Sequence, residues 1–171
     1  MGEFNPNNRL YNLDLGGGSL LDIGIYPVFT ALSFLGSPNE IKTQADFSTT
    51  GSEESISISF KYNNGSMAQL YSSFAMTYKN DCELCFENGL ISYGRFSNDP
   101  ITLTQGDNIQ TFTFDPGPDF GYQFEAKHVM ECLDNNLLES PILTFERSLE
   151  LINTLDRIRQ DAGIIFPNHD Q

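Results

Sequence analysis

Positive charge is what this 171-residue chain has least of. Nine lysines and arginines stand against 23 aspartates and glutamates, a formal net charge of −14. That balance excludes a nucleic-acid surface or an anionic membrane as partner, because both need clustered Lys and Arg. The surplus carboxylates read as a solvated acidic face. Long apolar runs are missing as well: none approaches the ~18–20 residues of a membrane-crossing helix. The start, MGEFNPNNR, has no apolar core of a signal peptide. Residues 1–8 therefore read as a tag or linker, and 9–171 as one domain. Cysteine is scarce too. Cys82, Cys85 and Cys132 form no framework, an odd count that fits a reducing, cytoplasmic setting. The CELC spacing would suit half of a zinc site, but a second pair is lacking, and neither His128 nor His169 stands in a ligand pattern. In a strand the two CELC thiols point to opposite faces. No metal is expected, and the thiols read as reduced and mostly buried.

What remains is a globular composition, 39% hydrophobic and 12% aromatic, with 14 Phe and 7 Tyr, enough for one sizeable core. It falls into three blocks. The first runs from the glycines at 16–18 to Gly36, with Leu20, Leu21, Ile25, Phe29, Leu32 and Phe34 dense enough for a buried helix, kinked or restarted at Pro27. The second, about 40–115, is strand-rich. SISISF alternates strictly, placing Ile56, Ile58 and Phe60 on one face and Ser55, Ser57 and Ser59 on the other. NNG and ENG are hairpin signals leading into Met67–Met76 and Leu90–Tyr93, and Ile101–Leu103 and Ile109–Phe114 look like further strands. The third block, from Pro118, predicts two helices. One has Tyr122, Ala126, Val129, Leu133 and Leu137 on its stripe. The other has Phe145, Leu149, Ile152, Leu155 and Ile158, from an N-cap at Thr144 to Gly163. The expected class is α+β: an antiparallel sheet with helices on one face. The other face, small hydroxyls with few charges, suits pressing against a second protein surface as well as a Ser-rich solvent face.

The least ordinary stretch is LGGGSLLDIGIYPV, 15–28. A glycine run before a helix invites the dinucleotide fingerprint, and here the match fails. Gly16 and Gly18 satisfy G-x-G, yet the third glycine position is Leu21, RLYNLDL is too polar for a buried first strand, and no βαβ unit follows. Asp22 and Tyr26, four apart, share one helix face. A phenol beside a carboxylate, next to glycines that allow close approach, could be a proton-transfer pair if a cation helps the phenol. It could equally be a capping Asp and a packed Tyr.

NRLYNLDLGGGSLLDIGIYPVFTALSFLGSP resembles the start of the C-terminal domain of the Gfo/Idh/MocA oxidoreductases, the family of glucose–fructose oxidoreductase and inositol dehydrogenase. The form GGG-x-L-x-D-x-G-x-Y-P is nearest the dihydrodiol and xylose dehydrogenase branch, and many relatives place a His where this chain has Tyr26. The run from Gly121 to Pro167, including ESP before the last helix, also resembles the family. The resemblance implies an open, mostly antiparallel sheet of about six to seven strands with helices on one face, like the C-terminal domain of glyceraldehyde-3-phosphate dehydrogenase. It implies a division of labour too. NAD or NADP is bound mainly by a Rossmann domain absent from these residues, which also supplies a Lys beside the Tyr26 position. This half supplies the pocket for a sugar, polyol or diol, and a surface for a homo-dimer or higher assembly through the helix-free sheet face. Tyr26 is then the general acid/base, with Asp22 orienting substrate or tuning the phenol. Gly16, Gly17 and Gly18 let the backbone approach a ligand, Arg9 joins the site, and His128 is a further pocket candidate or a half-exposed helix His. Without the nucleotide domain the chain is expected to be inactive. The alternative is a non-catalytic binding or oligomerisation module that kept the fold.

Overall fold

The computed structural model describes residues 4–94, 99–115, 117, 121–167 and 170. The sequence readings at 1–3, at Pro118–Phe120 and at His169 lie outside them. The described chain is α+β, with seven antiparallel strands and three α-helices. The strands do not form one hydrogen-bonded sheet, however. β1 (Glu40–Phe47), β2 (Glu53–Lys61) and β3 (Met67–Ser73) make one sheet; β4 (Asp81–Phe86), β5 (Gly89–Gly94), β6 (Ile101–Gln105) and β7 (Asn108–Phe112) make another. Two compact units appear within the chain. One comprises residues 1–77 and 144–171, the other 78–143.

The first unit holds the core. Strict alternation puts Ile56, Ile58 and Phe60 of β2 on the face that meets α1 (Ile25–Leu35) and α3 (Phe145–Ala162), where Leu20, Val28, Leu32, Leu155 and Ile158 close over them. Thr144 caps α3, accepting a hydrogen bond from Arg147 N, and Gly163 ends it in the left-handed conformation, as its sequence asked. The stripe is rotated from the expected one. Leu155 and Ile158 are buried, but Phe145, Leu149 and Ile152 are exposed and Thr154 is buried in their stead. A stripe read from spacing can choose a wrong centre when apolar residues lie on both flanks.

The first helix carries a local irregularity just before the proline, where a kink or restart was expected. Leu20–Gly24 is a π-turn that feeds directly into α1. Pro27, which has no N–H to donate, lies three residues past this turn inside the continuous helical run, close to where the π-turn gives way to regular helix. Gly36 ends α1, its N–H donating to Leu32 O. Leu13–Leu35, 23 residues, is long and apolar enough to cross a membrane by length and composition alone, contrary to the reading of short runs. Here Leu20, Val28 and Leu32 of this segment lie in the core.

Across β1–β3 the register pairs Gln44 with Ser57 and Ser57 with Tyr71, so the face turned from the helices carries Lys42, Gln44, Asp46, Ser57, Ser59, Gln69 and Tyr71. It has more charge than the serines of β2 suggested: Lys42 and Asp46 come from β1, and Lys61 of β2 stands opposite Glu40 at its end, 3.0 Å from that carboxylate. At that edge the Asp161 carboxylate accepts from Thr43 N (2.7 Å), Thr43 Oγ1 (2.9 Å) and Lys42 Nζ (3.1 Å). These partners hold Asp161 below the usual carboxylate range, the Lys42 hydrogen bond foremost.

The second unit has the patterns of a core without the burial. Its register brings Leu84, Ile91 and Leu103 into one row, flanked by Cys82 opposite Tyr93 and Ile101 opposite Phe112. α2 (Tyr122–Asp134) has no buried residue, although Tyr122, Ala126, Val129 and Leu133 were read as its core stripe. None of the described residues of this unit is buried. The thiols share that condition: Cys82 and Cys132 are half-buried and Cys85 exposed, where mostly buried ones were expected.

Candidate functional site

The stretch from Asn8 to Asp22 folds into a compact elbow. Asn8 and Asn12 each accept a backbone N–H two residues on, starting the 3₁₀ turns Arg9–Tyr11 and Leu13–Leu15. Gly16, at φ +73°, ends the second turn, and Gly17 N donates to Asn12 O at 2.8 Å. The chain then doubles back on itself. A Cβ on Gly17 would lie 2.6 Å from Asn12 N, and one on Gly18, at φ +143°, would collide with the Glu53 carboxylate. These two glycines are thus required by the chain's own backbone and by Glu53.

The elbow encloses a cleft of about 140 Å³ lined by Arg9, Leu10, Gly16, Gly17, Gly18, Leu21 and Asp22. Arg9 Nη1 donates to Asp22 Oδ1 at 2.9 Å across it. Five residues singled out in the sequence are therefore brought together. Tyr26 is not among the lining residues. It sits at the second position of α1, one turn beyond Asp22, 66% exposed, and its hydroxyl has no hydrogen-bond partner among the described residues. His128 belongs to the other unit, on α2, where Nε2 lies 2.8 Å from Ser140 Oγ and 3.5 Å from Cys132 Sγ. Among the described residues no group of three or more His, Cys, Asp or Glu could hold a metal ion.

Glu53 is the residue that sequence reasoning missed. Alternation would place it with Ser55 and Ser57 on the outer face. A register shift pairs Asp46 with Ser55 but Phe47 with Glu53, leaving Glu54 as the extra residue. Such a bulge re-aims the side chain, and Glu53 turns inward to 1% exposure. There its carboxylate accepts the Leu20 N–H and hydrogen bonds from Ser19. Burial pushes its pKa up to about 7, against the pull of those donors. The signal available in the sequence was indirect: three glycines need some group whose approach forbids a Cβ.

A guanidinium paired with a carboxylate at the mouth of a small cleft offers both hydrogen-bond donors and acceptors. The glycines make no pyrophosphate cradle. The space a Cβ would fill at Gly17 and Gly18 is taken by the chain's own atoms.

Residues 1–92 match the model of the GFO/IDH/MocA C-terminal domain. The chain belongs to that family. A trans-1,2-dihydrobenzene-1,2-diol dehydrogenase of Xenopus laevis is 31% identical over 170 residues, covering 93% of this chain and 51% of the relative. A scyllo-inositol 2-dehydrogenase (NADP(+)) of Bacillus subtilis is 25% identical over 155 residues, covering 90% and 47%. The chain thus spans about half the length of the curated relatives it matches. Among solved structures, an aldose-aldose oxidoreductase from Caulobacter crescentus complexed with glycerol aligns with a TM-score of 0.78 at 20% identity, over 94% of this chain and 50% of the other. A 3-ketoreductase from Actinomadura kijaniata, in complex with NADP and TDP-benzene, aligns with a TM-score of 0.77 at 23% identity, over 92% and 50%. Both likenesses speak for the fold of this GFO/IDH/MocA C-terminal domain.

Proposed function

We propose that this domain is the substrate-binding half of an NAD(P)-dependent oxidoreductase acting on a sugar, polyol or diol at a CH–OH or carbonyl carbon. The observation that carries the reading is the Arg9–Asp22 pair across a glycine-walled cleft, one helical turn before an exposed Tyr26. Asp22 accepts from a substrate hydroxyl, Arg9 donates to its neighbour, and the glycine wall excludes bulk. Tyr26 exchanges a proton with the reacting oxygen, helped by a cation from outside these residues. Hydride exchange is the chemistry of the dinucleotide, held elsewhere than on this glycine run. The diol and inositol dehydrogenases among the relatives support a polyhydroxyl substrate.

In the full-length enzyme Tyr26→Phe lowers kcat by ~10²–10⁴-fold, with dinucleotide affinity nearly unchanged. A variant keeping more than about a third of wild-type turnover, with chemistry rate-limiting, removes Tyr26 from the mechanism. The 171 residues alone bind neither NAD nor NADP and do not turn over; micromolar binding in calorimetry sinks that part.

The assembly proposed is a homo-dimer through sheet faces that lack helices, in a reducing cytoplasm that suits three unpaired thiols. Two-fold pairing there keeps the acidic helical side away from its copy, and it buries on the order of 800 Å² per partner. Ser57→Glu with Ser59→Glu yields a monomer on sedimentation. A wild-type chain already monomeric at tens of micromolar refutes the dimer. A full-length protein that assembles yet neither turns over nor binds any polyol favours instead the non-catalytic binding or oligomerisation module.

A further inference from the structure

One buried ionisable group has no part in the proposed chemistry. Glu53 stands on a strand, 33 residues along the chain from the N–H it accepts, and its carboxylate fills the space beneath Gly18. A helix start is ordinarily capped from within by a Ser, Thr, Asp or Asn just before it. Ser19 is in place for that role, but its side chain makes no cap; its hydroxyl lies 3.0 Å from Ser72 Oγ of β3 instead. A local cap would satisfy the helix start and leave it free to shift against the sheet. A cap reaching over from β2, with Ser19 tied to β3, nails the turn to both strands. The residues on either side of that turn are Gly16–Gly18 and Leu21–Asp22, the walls of the cleft.

We propose that Glu53 is a positioning residue: turned inward by a β-bulge, it fixes the Gly18–Leu20 backbone against the sheet and thereby sets the cleft wall and the direction of Asp22. In its bearing on substrate the inference rests on the function proposed above. The groups that face the carboxylate are Leu20 N–H, the N–H and hydroxyl of Ser19 and its own N–H, and no charged side chain among the described residues acts on it. The strength of this hold therefore follows the carboxylate's own proton. Ionised, it takes all these donors; protonated, it gives up one lone pair and offers an O–H in place of an acceptor.

The test is a pH series on the full-length enzyme by ¹H–¹⁵N spectroscopy, with KM and kcat for trans-1,2-dihydrobenzene-1,2-diol as probe substrate. In the wild type the amides of Gly17, Gly18 and Leu20 shift together with a midpoint near 7, and KM steps over the same range while kcat stays within about threefold. Glu53→Gln abolishes both steps. Amides that titrate alike in wild type and Glu53→Gln, or that do not titrate near neutrality in the wild type, overturn the proposal. Amides that behave as expected beside a flat KM uphold Glu53 as the holder of the wall and count against the cleft as substrate site. Should Glu53→Gln fail to fold, Ser19→Ala removes one donor and must raise the midpoint; an unmoved midpoint overturns the proposal equally.

Discussion

Two regions of this chain carry the same kind of sequence and reach different ends. β2 alternates apolar and polar residues, and so do β4–β6; α3 has an apolar stripe, and so has α2. In the first unit the stripes close on one another until Val28, Ile56 and Ile158 lose all contact with solvent. In the second, Leu84, Ile91 and Leu103 line up across three strands and remain half-exposed, and Val129, Met130 and Leu133 of α2 stay open. Periodicity states which face of an element is apolar. It does not state what covers that face, and an apolar face without cover is what interfaces are made of.

The comparison breaks most readily by truncating one side chain in each unit. Phe60→Ala should cost about 3–5 kcal/mol in chemical denaturation, because Phe60 is enclosed by the first unit's core. Leu133→Ala, from an exposed position on α2, should stay within about 0.5 kcal/mol. Equal costs would mean that the second unit has a core of its own strength.

A somewhat smaller effect sharpens the view of the buried side. Glu53 has its pKa raised from 4.5 to about 7 on folding. Its proton therefore stabilises the fold at low pH, and that contribution is lost as pH rises from about 4.5 through about 7. The wild type should lose on the order of 3 kcal/mol relative to Glu53→Gln between those limits, since other carboxylates cancel in the difference. A constant gap between the two melting curves across that range would contradict the burial of an ionisable Glu53.

The smallest effect concerns a helix end. Thr144→Ala should cost about 1 kcal/mol, through loss of the bond from Arg147 N. A loss below a few tenths of a kcal/mol would show that this first turn of α3, where Phe145 and Leu149 are exposed, frays in the wild type as well.

How far the sequence spoke follows the same division. The α+β class, the β2 alternation, the limits of α3 with Thr144 and Gly163, and the gathering of Arg9, Gly16–Gly18 and Asp22 around one cleft were all within reach of local rules. Each depends on neighbours in the chain or on a motif. The rotated face of α3, the open stripe of α2 and the break between two hydrogen-bonded sheets depend on what lies across space. Glu53 shows the limit most clearly. In GSEESISISF it looks like one more acidic surface residue, and a single extra residue in the strand reverses its side. Asp22 and Tyr26 illustrate the converse: their spacing was plain, but the structure engages only Asp22 with Arg9.

The carboxylate of Asp161 ends a different story at the sheet's margin. β1 is an outer strand, and an outer strand presents its spare N–H groups as a template on which a partly unfolded neighbour can zip up. The Thr43 N–H is already taken by Asp161, and the Lys42 ammonium is drawn to the same spot. An incoming strand would have to strip a charged acceptor from that amide and then lie against a lysine. In a chain with so many uncovered apolar groups, this helix-borne carboxylate closes one route from crowding to fibrous aggregates, and Asp161→Ala should reopen it, read as faster light scattering at raised concentration and temperature.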